Sequence, residues 1–293
     1  MVRDSEYSNE LIAGCNPDII KQSGCYESIE DHLRGAKYVL SNFLDNYIVY
    51  TDNVLEKLLN IKLSTSIVYL AVALHDLGKS LPHYQQKLRK TCTAPYHEVA
   101  SIALLKLIDL SDVVIRGNHK ALMVILMLSI IMHHHAMRPL SYIARNLDVS
   151  LNNALPTTLH INDIVSSCKK YIDVVKRIFN IELGIKTKCK EVNIANLRRD
   201  VTVFIDKLRD IFKSNEYTFV RVSNYIYKIS ILVLKPLLIA DIVSASVNRS
   251  CTNIDLESLN KVIEKKSTMV SDVIERNKVI KSVSNKLRVY MKW

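Results

Sequence analysis

Glycine and proline are scarce, at six of each in 293 residues, which excludes collagen-like and low-complexity architecture. Cysteine is also sparse. The six, Cys15, Cys25, Cys92, Cys168, Cys189 and Cys251, form no CxxC pair and no cluster, so neither a zinc ribbon nor a dithiol redox motif is present. They are expected as buried thiols of a protein in a reducing cytoplasm. A long clean apolar run is missing too: residues 121–132 are twelve long, and 226–247 is interrupted by Lys235, Pro236 and Asp241. Both fall short of the roughly 18 to 20 residues of a membrane span and are predicted to be buried helices. The opening MVRDSEYSNE has neither a basic nor an apolar segment, so no secretory signal is expected. No internal repeat of about 20 to 50 residues is visible.

What is present describes a folded chain. Hydrophobic residues make up 48% and charged residues 24%, with a mean hydropathy of +0.08, enough apolar surface to offset the entropy of ordering. Lys and Arg number 40 against 29 acids, giving +11 and a pI near 9.3. Such an excess is the electrostatic footprint of a nucleic-acid binder, although a lysine-rich background produces the same figure. Length alone is compatible with two domains or one large helical domain.

Apolar residues recur at spacings of three and four with scarcely any strand alternation, so the expected fold class is all-α. In residues 29–44, Ile29, Leu33, Ala36, Leu40, Phe43 and Leu44 form one stripe, with His32 on its edge and facing inward. A second helix runs from a Ser64 N-cap through IVYLAVAL to His75 and Asp76, with Gly78 where a left-handed C-terminal residue belongs. Pro95 precedes a helix starting near Tyr96 and His97, and the apolar helix from Ala121 ends in His133, His134 and His135. Residues 145–195 are the most polar part and are expected as a surface excursion. A long helix over 222–247 should kink at Pro236, about one turn before Asp241. Residues 261–293 carry nine basic against three acidic residues in a helix-compatible pattern, either a solvated face or a binding element.

The inward-facing polar residues are His32, His75, Asp76, Lys79, His97, His133 to His135 and Asp241. Singly, each reads as a core or cap residue. Together, they place a His or Asp at an apolar position on each of five helices, and burying that many unpartnered polar groups costs several kcal/mol apiece. A metal ion supplies the partner. Imidazole and carboxylate donors without cysteine suit Mn, Fe, Ni, Co or Mg better than structural zinc. With this many donors, two ions about 3.5 to 4 Å apart can be held, the arrangement that clamps the attacking and leaving oxygens of a phosphoester.

The series His32, HDLGK at 75–79, His97, the histidines of 133–135 and Asp241 resembles the HD-domain metal-dependent phosphohydrolases. The HDLGK ending, His97-Glu98 opening a helix, the HHHAMR string and the chain length resemble, more narrowly, the stand-alone HD nuclease subunit of type I CRISPR interference. That resemblance spans residues 25–250. It implies a helical bundle with the metal site in its core, an HD nuclease domain over 1–260 and a basic helical extension over 261–293.

It also implies that His32, His75, Asp76 and Asp241 ligate one ion, and that Asp76 bridges to a second ion held by His97 and two of the three histidines. If a small residue follows the pair, it is His134 and His135; if the pair directly follows the apolar run, it is His133 and His134. Lys79 would stand beside the scissile phosphate, or complete a helix C-terminus. The function implied is metal-dependent hydrolysis of DNA in antiviral defence, single strands preferred, with duplex ends and RNA as further substrates. Its partners would be a separate helicase subunit and the interference complex. The alternative is an HD phosphohydrolase of a nucleotide or cyclic nucleotide, and a third reading is a non-enzymatic nucleic-acid-binding subunit.

Overall fold

A computed structural model of the chain describes residues 10–15, 26–134, 140–186, 193–213 and 217–249. His135 and the basic segment 261–293 lie outside the described residues, as do Cys25, Cys189 and Cys251.

Eleven α-helices are present among the described residues: α1 (Ile29–Phe43), α2 (Asp45–Leu59), α3 (Ile67–Leu74), α4 (Pro82–Thr91), α5 (His97–Leu104), α6 (His119–Met132), α7 (Leu140–Arg145), α8 (Leu147–Ala154), α9 (Ile161–Phe179), α10 (Ile194–Lys213) and α11 (Tyr217–Asn248). The fold is all-α. Six short strands form three antiparallel ladders: β1 (Ile12–Cys15) with β2 (Tyr26–Ser28), β3 (Lys62–Leu63) with β5 (Val114–Arg116), and β4 (Ile108–Asp109) with β6 (Gly184–Ile185).

Helix α3 is the central element. All of its residues but Tyr69 are buried, as an IVYLAVAL sequence without a polar face requires. Its N-cap is Ser66, whose Oγ accepts from Val68 N at 3.1 Å, rather than the expected Ser64. Ser64 instead donates weakly to the carbonyls of Asp112 and Val113, each at 3.3 Å. After α3 the chain tightens into a 3-10 turn, Leu77–Ser80. Gly78 lies in that turn and not in a left-handed cap. The reason for glycine there is contact: a Cβ would strike the carbonyl of His97 and come within 2.7 Å of Ser101 N. Gly78 lets α5 lie directly on the turn that carries Asp76.

The stripe on α1 is buried from Ile29 to Leu40, and Ser28 caps the helix by accepting from Asp31 N at 3.0 Å. Helix α11 packs against α1, α3 and α6, and runs unbroken through Pro236. Its segment Asn224–Ser246 is long and apolar enough to cross a membrane by length and composition, contrary to the reading that its interruptions disqualify it. More than half of that window is buried inside the protein, and Ser244 Oγ donates to the carbonyl of His32 at 2.7 Å.

Two further expectations are corrected. Residues 145–195 are not a surface excursion throughout, because α9 buries Ile164, Cys168, Tyr171 and Val175 completely and packs on α1, α3 and the Asp76 turn. Cys15 and Cys92 are joined in a disulfide that ties β1 to the end of α4, while Cys168 is a buried thiol. A disulfide is the oxidised form of a pair that a reducing cytoplasm keeps as thiols, so cysteine usage no longer argues for that compartment.

Candidate metal centre

Five segments bring their polar residues to one place. His32 comes from the first turn of α1, His75 and Asp76 from the end of α3, His97 from the start of α5, His133 and His134 from the end of α6, and Asp241 from α11. His32, His75 and Asp76 are fully buried, and the side chain of Asp241 is 14% exposed.

The ring nitrogens follow a rule. His75 Nδ1 donates to the carbonyl of Val72 at 2.8 Å, His97 Nδ1 to that of Ala94 at 2.8 Å, and His133 Nδ1 to that of Ile130. Each donates to the residue three positions earlier. A carbonyl can only accept, so each Nδ1 carries the ring proton and each Nε2 of the neutral ring presents a lone pair. His32 Nδ1 uses a side chain instead, Glu27 Oε1 at 2.7 Å.

The Nε2 atoms converge in two overlapping groups. On one side, His32 Nε2 lies 3.4 Å from His75 Nε2, 3.3 Å from Asp241 Oδ1 and 3.6 Å from Asp76 Oδ2. On the other, His97 Nε2 lies 3.2 Å from His134 Nε2 and 3.0 Å from Asp76 Oδ1. His133 belongs to both regions, since its ligand atom lies within 4.8 Å of those of His97 and His134, and likewise of His75 and Asp76. Asp76 thus turns one oxygen to each group.

A cation fits this donor set. Asp76 Oδ1 and His133 Nε2 are buried with no hydrogen-bond partner among the described residues, and Asp76 Oδ1 faces a His97 nitrogen that holds no proton. Two lone pairs at such a distance repel unless positive charge lies between them. Burial, with His75 and His97 nearby, pushes His133 down to about 4; burial with the adjacent Lys79 lowers His97. Burial alone would raise Asp76 and Asp241. Against it, His75 and Lys79 hold Asp76 well below the usual carboxylate range, and His32 and His75 do the same for Asp241. Neutral His97 and His133 with ionised Asp76 and Asp241 are in the protonation states a metal needs. His32 is the exception: burial would lower it, but Glu27 and Asp241 raise it to about 10, so a cation entering there displaces a proton.

Lys79 Nζ pairs with Asp76 Oδ2 at 2.8 Å. It lies in the last turn of the 3-10 segment, so the helix-terminus role expected as its alternative stands beside the ion pair with Asp76. The centre opens into a cleft of about 700 Å³ lined by Lys79, His97, His134, Asp241, Ile242 and Arg249. His83 and His119 stand apart from it: His83 Nε2 donates to the carbonyl of Asn153 at 3.1 Å, and His119 is exposed at the start of α6.

The site has one neighbour that sequence reasoning missed. Glu27 is buried beside His32, held by Arg249 and Asn248; burial would raise its carboxyl, yet His32 and Arg249 bring it down to about 2. An isolated Glu before a helix gives no sign of this, because Asn248 and Arg249, which hold it, lie more than 200 residues away.

No family model and no curated protein matches the chain. Among solved structures, the chain is similar to the CRISPR-associated Cas3 HD domain protein MJ0384 from Methanocaldococcus jannaschii, with a TM-score of 0.43 and 19% identity, covering 72% of this chain and 95% of that one.

Proposed function

We propose that this chain is a metal-dependent phosphodiesterase of the HD type, and that its substrate is DNA. The observation that carries the reading is the division of Asp76, with Oδ2 turned to His32 and His75, which lie beside Asp241, and Oδ1 to His97, next to His133 and His134. In this reading His32, His75, Asp76 and Asp241 hold one divalent cation, and Asp76, His97, His133 and His134 hold the second. Two such ions, Mn or Mg with Ni, Co and Fe as alternatives, supply Lewis-acid charge to the attacking and leaving oxygens of a phosphodiester when bound.

The chain's own residues do the rest. The backbone carbonyls of Val72, Ala94 and Ile130 fix three imidazoles in the ligand tautomer. Lys79 is held by Asp76 at the cleft and stands ready as a point charge for a substrate phosphate. The +11 of the chain favours a polyanion, and a recessed cleft among helices admits a flexible single strand more readily than a duplex. The HDLGK and HHHAMR strings support a role in CRISPR antiviral defence beside a separate helicase subunit and the interference complex, with RNA and duplex ends as further substrates.

The test is direct. Protein stripped of metal and resupplied with Mn or Mg should degrade labelled single-stranded DNA, and Asp76→Ala should lower the rate at least about 10³-fold without unfolding the chain. Hydrolysis of nucleoside triphosphates or cyclic nucleotides with polymers untouched would replace this reading with the small-substrate one.

A further inference from the structure

Glu27 takes no part in the ligand sets above, yet it is among the most constrained side chains in the protein. It lies in β2, directly ahead of α1, with its side chain fully buried. Three donors converge on it: His32 Nδ1 at 2.7 Å and Asn248 Nδ2 at 2.9 Å reach Oε1, and Arg249 Nε at 2.7 Å reaches Oε2. The partner strand, β1, makes room for this. A Cβ on Gly14 would come within 2.6 Å of Arg249 Nε, so a side chain there would displace the guanidinium. The hairpin and the end of α11 thus close together on one carboxylate.

That carboxylate distinguishes His32 from the other rings. His75, His97 and His133 give their Nδ1 proton to neutral backbone carbonyls, whereas His32 gives its proton to an ion. A charged acceptor both fixes the ring's orientation and makes the opposite nitrogen a stronger donor to a metal. We infer that Glu27, braced by Arg249 and Asn248, is a positioning residue that holds His32 as a ligand and makes the His32–His75–Asp241 site bind its cation more tightly than the His97–His133–His134 site. The inference rests on the metal-dependent reading of the centre.

Calorimetric titration of the metal-stripped full chain with Mn²⁺ tests it without reference to catalysis. The wild type should take up two ions with unequal affinity, and His134→Ala should remove the weaker event, which assigns the two. Glu27→Gln should weaken the tighter event by about 10- to 100-fold and leave the weaker one unchanged. Arg249→Met keeps the carboxylate and removes one brace, so it should weaken the same event by a smaller factor. It also provides the test if Glu27→Gln fails to melt cooperatively by circular dichroism. A folded variant that leaves both affinities unchanged, or lowers both alike, would overturn the inference while the metal reading stands. A wild type that binds no Mn²⁺ would overturn that reading and this inference with it.

Discussion

A buried imidazole has two nitrogens, and where each one points decides what the ring can do. In the centre, Nδ1 of His75, His97 and His133 is spent on a carbonyl and that of His32 on Glu27, which leaves their Nε2 atoms to converge. His83 makes the contrast. Its Nε2 donates to Asn153 O, its ring lies 4.1 Å from that of Tyr84, and its buried Nδ1 has no hydrogen-bond partner among the described residues. Burial, with Lys87 nearby, holds it down at about 4, against 6.5 for an ordinary histidine. Between those values the unfolded chain binds the proton and the folded chain does not, so stability falls as pH drops from 6.5 to 4. Replacing His83 with Gln should therefore flatten part of the fall in urea midpoint between pH 7 and pH 4.5. Asp52, raised to about 6 by burial, acts with the opposite sign and is unchanged in the comparison. Identical midpoint shifts in the two proteins would show that His83 does not set this dependence. The candidate ligands were legible because each ends or interrupts an apolar helix, whereas Glu27 and Arg249 interrupt nothing and meet only in three dimensions. The register of the histidine run lay beyond periodicity, since adjacent residues on a helix differ by about 100° and either pair satisfies the pattern.

Elements were legible where composition left one choice. An octet as apolar as IVYLAVAL had to be buried, and α3 is. Its cap was misread by two residues because Ser64 and Ser66 are equivalent in sequence. Only the path of the chain selects Ser66, whose hydroxyl also reaches Asp52 at 3.1 Å. Ser66→Ala should cost about 1 kcal/mol in denaturant unfolding, the usual value of a lost N-cap, and Ser64→Ala measurably less. Equal effects would mean that the cap is not what anchors α3. The misjudgment of α9 has a different origin. Ile164, Cys168, Tyr171, Ile172 and Val175 repeat at three and four and were visible as a stripe, but the polar residues around them dominate a composition-based reading. Gly78 marks a third kind of limit, since a glycine required by a neighbouring helix and a glycine required by its own φ look alike in sequence.

At the scale of the whole molecule, the candidate ligands span positions 32 to 241 and tie the first described helix to the last. The all-α architecture followed from periodicity alone. The closing of α11 over α1 did not, because it depends on contacts such as Ser244 Oγ with the His32 carbonyl, 212 residues apart. The net charge of +11 is compatible with the polyanionic substrate proposed, and six units of it belong to residues 261–293. What unites these observations is the proposal of a centre for two cations with Asp76 between them. Anomalous diffraction from crystals of the full chain grown with Mn²⁺ addresses that claim most directly. The account predicts two peaks about 3.5 to 4 Å apart, one against His32, His75 and Asp241 and one against His97, His133 and His134, with an Asp76 oxygen on each. A single peak, or peaks that leave Asp76 without a metal contact, would contradict it.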